Sequence, residues 1–464
     1  MPILIVPIAV AFLFLLVKSL LNGVRLSDTN IYISIAEALG KGQQLYTDIF
    51  FTNTPLYPTI SRLYLWLAGG SADLFYLAAP LEAAGISMLL VLLLRHRNLP
   101  VVLQIIAPIL YLSSFLVLST SDHATGVFTA MLAITAGWLA AERKIPILAG
   151  ILFGAAVTIK AYTMPIVVGF IVWYALTGRN SLKRFLPAFV GTVAGIMMPT
   201  LLSSYDAFLS QAFGYSLSRA AGLDKATILW FFARNDWLLV AGGIWALVLT
   251  GKALRKAGPE GFALFFQFLF ILFHRDVYFF YLNTLLPFAV IGCCLLLASG
   301  ARKNYHAGTA AGGSIVVISI LMTVSAYFGG GYHELQRIHN MDRLVQEVLS
   351  LKPATIYGDA DFAPAIAYQS RIPLLEGIID TNLNLFRSGI YSADDLTDSA
   401  IRNGSVVVTY GASYPERNIE VPIASEIVNS ERITQQCRHA YSHPIRSEGG
   451  LNRISVWDCR QVTD

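Results

Sequence analysis

The segment between the first two long apolar runs of the sequence carries an acidic residue, Asp28, and continues through Gly42, Tyr46 and Asp48 to residues 54–56. An ionisable side chain beside hydrocarbon is costly unless a cavity, a partner or a ligand compensates its charge, so acids in such places are candidate functional residues. The pattern therefore predicts a carboxylate at the mouth of a membrane-embedded helix bundle.

The composition indicates a polytopic α-helical membrane protein. Of the 464 residues, 55% are hydrophobic and only 13% are charged, whereas an ordinary soluble domain has roughly 25% charged residues. The mean hydropathy is +0.59. The formal net charge of +4 is too small and too scattered to indicate a nucleic-acid partner.

Four cysteines are too few for a disulfide framework. Cys293 and Cys294 lie in an apolar run and are most simply interpreted as core residues. Cys437 and Cys459 lie in the polar tail, where they pair only if that tail is in an oxidising compartment. The sequence leaves this pairing open.

Apolar windows of about 20 residues, the length that crosses roughly 30 Å of hydrocarbon, predict eleven membrane spans. The first window lacks a basic leader and a clear cleavage site, which favours a span over a signal peptide. The windows begin near Pro2, Leu74, Leu99, Ala124, Ile145, Tyr162, Phe185, Trp237, Gly261, Leu282 and Ser314.

Basic residues concentrate in alternate connections between these spans, and such connections are expected on the cytoplasmic side. This pattern predicts a cytoplasmic N-terminus. It places Asp28, Asp122, Lys160, the stretch 274–281 and the whole tail outside. The cytoplasmic residues would be Arg95, Arg97, Arg143, Lys144, Arg179, Lys183, Arg184, Lys252, Arg255, Lys256, Arg302 and Lys303.

Two outer segments have the character of juxtamembrane helices. In residues 26–70, apolar positions follow helical spacing from Ile31 to Leu39, with Ser27 or Asp28 placed as an N-cap and Gly40 as a stop. Residues 205–237 are rich in aromatic side chains, which favour the membrane interface. We expect these two segments to cover a cavity that opens toward the lipid.

The chain changes character near residue 331, and this predicts two domains, a membrane domain at 1–330 and an extracytoplasmic soluble α/β domain at 331–464. Short β-rich runs at 354–357, 372–375 and 406–410 alternate with a helical pattern at 362–368.

Asp359 and Asp361 follow the first predicted strand of the tail. Acids in a strand-to-helix turn are most often caps, so the sequence assigns these two no role.

The order of the outer residues resembles the first outer loop of the GT-C superfamily of membrane glycosyltransferases. An acid is followed by Tyr four residues on, then by Gly, Tyr-x-Asp and Thr-Pro-Leu. The resemblance is strongest to the bacterial branch that includes aminoarabinose transferases and is related to protein O-mannosyltransferases. It extends to residues 121–123, to the span from Gly150 to Lys160, and to residues 274–278 before Pro287.

This resemblance implies a glycosyltransferase that moves a sugar from a polyprenyl-phosphate donor to a lipid, glycan or protein acceptor on the outer face, with inversion. Asp28 would be the base that takes the proton of the acceptor hydroxyl, and the alternative is helix N-capping. Many relatives carry a second acid where this chain has Thr29. That departure puts a mechanism with two adjacent carboxylates in doubt, although Asp122 is placed to supply a second charge.

The leaving phosphate would need a nearby cation, for which Lys160, Arg275 and His274 are the candidates. The alternative is that these side chains reach the interface or pair with Asp276.

A second group of residues is predicted to bind the acceptor or the sugar, and each member also has a structural interpretation. Asp122 and His123 orient the acceptor, hold a divalent metal or cap a helix. Asp48 binds hydroxyls or pairs with Lys41. Tyr32 and Tyr46 would form aromatic walls, and Tyr278, from the stretch 274–278, also belongs to this group.

No histidine or cysteine spacing indicates a metal site, so neither a metal nor another cofactor is predicted. The resemblance implies an integral protein of a bacterial or archaeal plasma membrane. Two other functions stay open, a flippase or transporter of lipid-linked saccharides and a glycan polymerase or ligase. Transporters of this size usually show internal repeats, which this sequence lacks.

Overall fold

The computed structural model describes residues 4–215, 219, 222–254, 257–301, 305–334, 337–414, 419–422, 426–447 and 450–460. Some residues used to predict spans and topology lie outside this part of the chain: Pro2, Arg255, Lys256, Arg302 and Lys303. We call residues 4–334 the membrane part and residues 337–460 the C-terminal domain.

The membrane part is helical throughout. Its first eight helices are α1 Ile5–Leu20, α2 Thr29–Gly40, α3 Leu56–Leu67, α4 Ala72–Tyr76, α5 Ala78–His96, α6 Val101–Leu112, α7 Phe115–Thr120 and α8 Val127–Glu142. The next eight are α9 Pro146–Ile159, α10 Met164–Thr177, α11 Arg179–Phe208, α12 Lys225–Asn235, α13 Trp237–Lys252, α14 Pro259–Phe273, α15 Leu286–Ala301 and α16 Tyr305–Gly329.

An apolar helix lies at each of the eleven predicted windows. In the described part of the chain, however, two helical segments have the length and composition to cross a membrane alone, Ala72–His96 and Arg179–Gly214. A third qualifies if α12 and α13, which meet at a bend of 103°, form one span. These helices support an integral membrane protein, while the number of eleven spans stays a prediction.

Short helices result where a polar residue interrupts an apolar run. Lys160 has extended backbone angles, φ −143° and ψ 106°, so α9 ends at Ile159. A 3-10 turn at Ala161–Thr163 then leads into α10. The break places a lysine side chain between two apolar helices instead of at their outer ends.

Close helix packing in the bundle depends on small residues. A Cβ atom on Gly150 would lie 2.5 Å from the carbonyl oxygen of Phe185. A Cβ atom on Gly154 would lie 2.8 Å from the Cβ of Thr192. Because both glycines lie on one face of α9, they let its backbone approach α11 as small residues do in membrane helix pairs.

The C-terminal domain is a five-stranded mixed sheet with short helices, which confirms the predicted α/β fold. Its strands have the order β1-β2-β5-β4, with β3 paired to β2. Strands β1 and β2 are parallel and the other pairs are antiparallel. The elements are β1 Ile356–Gly358, β2 Val406–Tyr414, β3 Ile419–Pro422, β4 Arg438–Ser447, β5 Gly450–Asp458, and helices α17 Met341–Ser350, α18 Ala363–Ser370, α19 Leu383–Arg387, α20 Ala393–Arg402 and α21 Ser430–Gln436.

The sheet separates two apolar layers. Val406 and Val408 pack in one layer and Val407 in the other, as alternation along a strand requires. The predicted strand at 372–375 is wrong, because Leu374 makes an isolated bridge to Ile356 and a 3-10 turn follows. Pro373, which lacks a backbone N–H, limits pairing there.

The C-terminal domain is docked on one end of the membrane part. Val24 and Leu26, which link α1 to α2, are buried in the apolar core of the C-terminal domain. The Ser27 N–H donates to the carbonyl of Asp361 at 3.2 Å, and the Ser34 hydroxyl donates to the carbonyl of Pro364 at 3.1 Å. Hydrogen bonds at Ser27 and Ser34 thus hold α2 against the C-terminal domain.

A disulfide joins Cys437, just before β4, to Cys459, just after β5. The sequence separation is 22 residues, and a loop of that length gives a stabilisation of about 3 kcal/mol. We expect reduction, or the change Cys437→Ser with Cys459→Ser, to make the C-terminal domain unfold at lower urea concentration, measured by limited proteolysis of the whole chain.

The matched control is Cys293→Ala with Cys294→Ala, which removes two buried free thiols of the membrane part. In that variant, reduction should still make the C-terminal domain unfold at a lower urea concentration. Equal urea midpoints for the reduced and oxidised protein would contradict a stabilising role of the bond.

Candidate active site between the two domains

A cavity of about 1510 Å³ lies where the membrane part meets the C-terminal domain. The membrane part supplies the link before α2, the loop between α7 and α8, and the stretch after α14. The C-terminal domain supplies two acids and an amide. The polar lining residues are Arg25, Ser27, Asp28, Tyr32, Thr52, Asn53, Ser119, Thr120, Asp122, His123, Thr125, Lys160, Tyr162, Arg219, Thr227, Tyr278, Tyr281, Tyr332, Asp361, Asp380 and Asn382.

Asp28 lies at the N-cap position of α2, yet its side chain does not cap the helix. Ser27 takes over that task, since its hydroxyl accepts from the Thr29 N–H at 3.3 Å and its carbonyl accepts from the Asn30 N–H at 3.1 Å. Among the described residues, no donor is hydrogen-bonded to the Asp28 carboxylate. Asp28 therefore presents its carboxylate to the cavity.

The surroundings of Asp28 set its charge. Burial raises the pKa of Asp28, and the cations of Lys160 and Arg219 partly offset this effect. A carboxylate that is unpaired, near two cations and open to a cavity is available to an incoming hydroxyl group. The alternative role of Asp28, as a side-chain cap of α2, does not fit this geometry.

Lys160 reaches the same cavity from the break between α9 and α10. Its Nζ donates to the Tyr32 hydroxyl at 2.9 Å. It also lies 5.2 Å from the centre of the Tyr32 ring and 5.8 Å from that of Tyr57, distances typical of cation–π contacts. Tyr32 is one turn beyond Asp28 on α2, so the helix holds the base candidate and the lysine's partner on one face.

Arg219 is a cavity residue that the sequence did not reveal. Its Nε lies 2.8 Å from Oδ2 of Asp276, at ion-pair distance but without hydrogen-bond alignment. The N–H groups of Gly222 and Leu223 donate to the carbonyls of Arg275 and Val277, both at 3.3 Å. No motif contains Arg219, and only this pairing of distant segments brings it to the site.

Asp122 lines the cavity but is already neutralised. Its Oδ1 lies 2.9 Å from Lys18 Nζ, and its Oδ2 lies 3.4 Å from Arg25 and accepts from the Tyr327 hydroxyl at 3.2 Å. Gly126 is the N-cap residue of α8, so Asp122 does not cap that helix. The geometry suits a residue that fixes the loop 121–126.

That loop is attached directly to α2. The Ala124 N–H donates to the Thr29 hydroxyl at 2.9 Å. Thr29, the residue directly after Asp28, is fully buried at this contact. In this chain the neighbour of Asp28 is therefore a positioning residue, and it adds no second charge beside Asp28.

The structure brings Asp28, Lys160 and four further predicted residues to the cavity: Tyr32, Asp122, His123 and Tyr278. It places the other four predicted residues outside the lining. Arg275 is exposed, and His274 stacks on Phe270 with ring centres 4.6 Å apart. We do not assign binding roles to Arg275 and His274.

The other two lie on the outer segment before α3. Asp48 is exposed and accepts from the Gln44 N–H at 2.8 Å, while Lys41 pairs with Glu37 instead. Tyr46 is buried and its hydroxyl donates to the carbonyl of Asn53 at 2.6 Å. Both side chains organise this segment.

The C-terminal domain contributes acids that were not predicted as site residues. Asp361 lines the cavity, and its Oδ2 accepts from the Tyr410 hydroxyl at 2.9 Å. Asp359 does act as a local cap, because its Oδ1 accepts from the Asp361 N–H at 3.1 Å. Asp380 also lines the cavity, and its Oδ1 accepts from the Asn382 N–H at 2.9 Å.

The described residues contain no group of three or more His, Cys, Asp or Glu side chains arranged to hold a metal ion. Independence from metals stays a prediction.

The sequence matches no protein-family model and no curated protein. Solved structures share the fold at low identity. ArnT from Cupriavidus metallidurans bound to undecaprenyl phosphate has a TM-score of 0.61 and 14% identity, over 97% of this chain and 97% of that chain. The apo state of the same protein has a TM-score of 0.63 and 13% identity, over 98% of both chains.

A larger protein contains the same architecture. The arabinofuranosyltransferase AftD from Mycobacteria has a TM-score of 0.55 and 14% identity, over 98% of this chain and 40% of that chain. These similarities extend over the membrane part and the C-terminal domain together. The chain therefore shares the fold of these solved structures, in agreement with the fold that the sequence resemblance implied.

Proposed function

We propose that this protein is a glycosyltransferase that moves a sugar from a polyprenyl-phosphate donor to a lipid, glycan or protein acceptor at the outer face of the membrane. The observation that carries the proposal is the Asp28 carboxylate, which faces the cavity without a hydrogen-bond partner among the described residues. A base must be within hydrogen-bond reach of the proton that it removes. A carboxylate that already accepts a hydrogen bond from the protein would have to lose that bond before it could accept the proton of the acceptor.

In the proposed reaction the acceptor oxygen attacks the anomeric carbon from the face opposite the phosphate. Its proton passes to Asp28 as the new C–O bond forms, and the bond between the anomeric carbon and the phosphate oxygen breaks. The electron pair of that bond stays on the lipid phosphate. This single displacement inverts the anomeric configuration.

The departing phosphate gains negative charge, and Lys160 and Arg219 are the cations that line the cavity near Asp28. Arg219 offers a planar guanidinium that can bind two phosphate oxygens, and Lys160 offers a point charge. The similarity to ArnT bound to undecaprenyl phosphate supports a polyprenyl carrier as the donor lipid.

An outer location of the site is part of this proposal. The disulfide between Cys437 and Cys459 supports it, because such bonds persist in oxidising compartments outside the cytosol. The basic residues of alternate connections also support an outer site, because these connections are expected on the cytoplasmic side and the site lies at the opposite ends of the predicted spans.

The test uses the whole chain in lipid nanodiscs with synthetic polyprenyl-phosphate donors that each carry one radiolabelled sugar, and with a membrane extract as the acceptor source. We expect one sugar of the panel to move to an acceptor with release of the polyprenyl phosphate. Movement of intact donor between the leaflets of proteoliposomes, without sugar transfer, would instead indicate a flippase.

A further inference from the structure

The charges that line the cavity are unequal after their pairs are counted. Asp122 is paired with Lys18 and Arg25, and Arg219 is paired with Asp276. The described residues at the cavity and their ion-pair partners thus supply four cations and five carboxylates, so one negative charge is in excess. The lining carboxylates that are not part of these ion pairs are Asp28, Asp361 and Asp380.

The two acids of the C-terminal domain lie beside the proposed path of the transferred sugar. Asp380 is within electrostatic reach of Asp28, Arg219 and Asp361, and Asp361 is within reach of Asp28. All of these residues line one cavity. A sugar whose phosphate is held by Lys160 and Arg219, and whose anomeric carbon is attacked near Asp28, would therefore share that cavity with both acids.

Contacts with the membrane part hold the segments that carry both acids. The carbonyl of Asp361 accepts from the Ser27 N–H at 3.2 Å and also from the Asn30 side chain. Beyond Asp380, the Asn384 side chain donates to the Tyr278 hydroxyl at 3.0 Å. The C-terminal domain therefore holds its carboxylates at fixed positions over the membrane part.

We propose, on the basis of the proposed function, that Asp361 and Asp380 make the cavity selective against donors whose sugar carries an anionic group, so that the protein uses neutral or cationic sugars. An added negative charge beside these carboxylates is repelled, and in a partly desolvated cavity this repulsion is weakly screened. Hydroxyl groups, in contrast, can donate to the carboxylate oxygens. Rejection of a wrong substrate by like charge is a general means of specificity.

The experiment compares two donors that differ in one group, polyprenyl-phosphate glucose and polyprenyl-phosphate glucuronic acid with the same carrier. Their affinities for the full chain in nanodiscs are measured by displacement of fluorescent polyprenyl phosphate. We expect the wild type to bind the neutral donor about tenfold or more tightly than the anionic donor, from the repulsion of a single charge by nearby carboxylates.

The double variant Asp361→Asn with Asp380→Asn should reduce this ratio to nearly one. Asparagine keeps an oxygen that can accept from Tyr410 and from the Asn382 N–H, so the fold should be preserved, which thermal unfolding checks. The charge-matched control, Asp342→Asn with Glu347→Gln, neutralises one exposed and one half-buried acid of the same domain, both outside the cavity lining, and should keep the wild-type ratio.

The outcomes separate the two proposals. Equal binding of both donors by the wild type overturns the selectivity while leaving the proposed function intact. A ratio that is unchanged in the cavity variant, or reduced equally in the control, also overturns it. Failure of both donors to displace polyprenyl phosphate from the wild type overturns the proposed function, and the selectivity with it.

Discussion

The change Asp28→Asn should lower the rate of sugar transfer by about 10²–10⁴-fold, the range expected when a positioned base is removed. Asparagine has nearly the same shape but cannot take the acceptor proton. The measurement is kcat/KM for release of polyprenyl phosphate by purified protein. Donor binding should change little, because the phosphate is assigned to Lys160 and Arg219.

The same variant should be as stable as the wild type or more stable at neutral pH. The pKa of Asp28 is raised by burial, so its ionised form costs folding free energy above the pKa of the unfolded state, and this cost disappears in asparagine. The matched control is Asp48→Asn, which neutralises an exposed acid of the same outer segment and should keep full activity. Wild-type activity of Asp28→Asn would refute the base assignment.

The pH profile provides an independent check on this assignment. A base acts when it is deprotonated, so activity should fall as the pH decreases through the pKa of Asp28. Because burial raises that pKa, the acidic limb should lie at higher pH than for an exposed aspartate. The residual activity of Asp28→Asn should lack this limb.

The second large effect is expected at Lys160. The change Lys160→Met should reduce kcat by about 10²–10³-fold, as found when a group that stabilises developing negative charge is removed. Methionine has a similar length and should pack among Tyr32 and Tyr57 without the charge. The measurement is single-turnover transfer at saturating donor, with donor affinity determined separately.

Two arginines provide a matched comparison for the phosphate assignment. Arg219 lines the cavity, whereas Arg275 is exposed outside it although it lies in the predicted motif. Arg219→Gln should weaken donor binding, and Arg275→Gln should leave it unchanged. Thermal unfolding must accompany Arg219→Gln, because Asp276 loses its partner. If Arg275→Gln weakened donor binding and Arg219→Gln did not, the phosphate-binding role that the sequence predicted for Arg275 would be supported instead.

The general architecture was predictable because it depends on local properties of the chain. Long apolar windows can be read in one dimension, and so can the change to a polar tail near residue 331. The helix of residues 29–40 was also predictable, since Ile31 and Leu39 follow helical spacing and Gly40 ends it. The wrong strand at 372–375 shows the limit, because strand pairing depends on a partner elsewhere in the chain.

The candidate site was predictable where a residue stood out by its type beside apolar sequence. Asp28 and Lys160 are of this kind, because each charge at the edge of a helix needs a compensating environment. Arg275 fulfilled the same criterion, yet its side chain is exposed. Sequence alone does not tell which side of a short connection faces the cavity.

The sequence by itself determined that the chain is rich in membrane-length apolar helices, that a polar α/β domain follows, and that Asp28 stands at the start of a helix. Only the tertiary structure decided which charges meet there. It leaves Asp28 unpaired, neutralises Asp122 through Lys18, and brings in Arg219, Asp361 and Asp380 from distant parts of the chain. The physical reason is that hydropathy acts residue by residue, whereas electrostatic interactions depend on distances between side chains that only folding establishes.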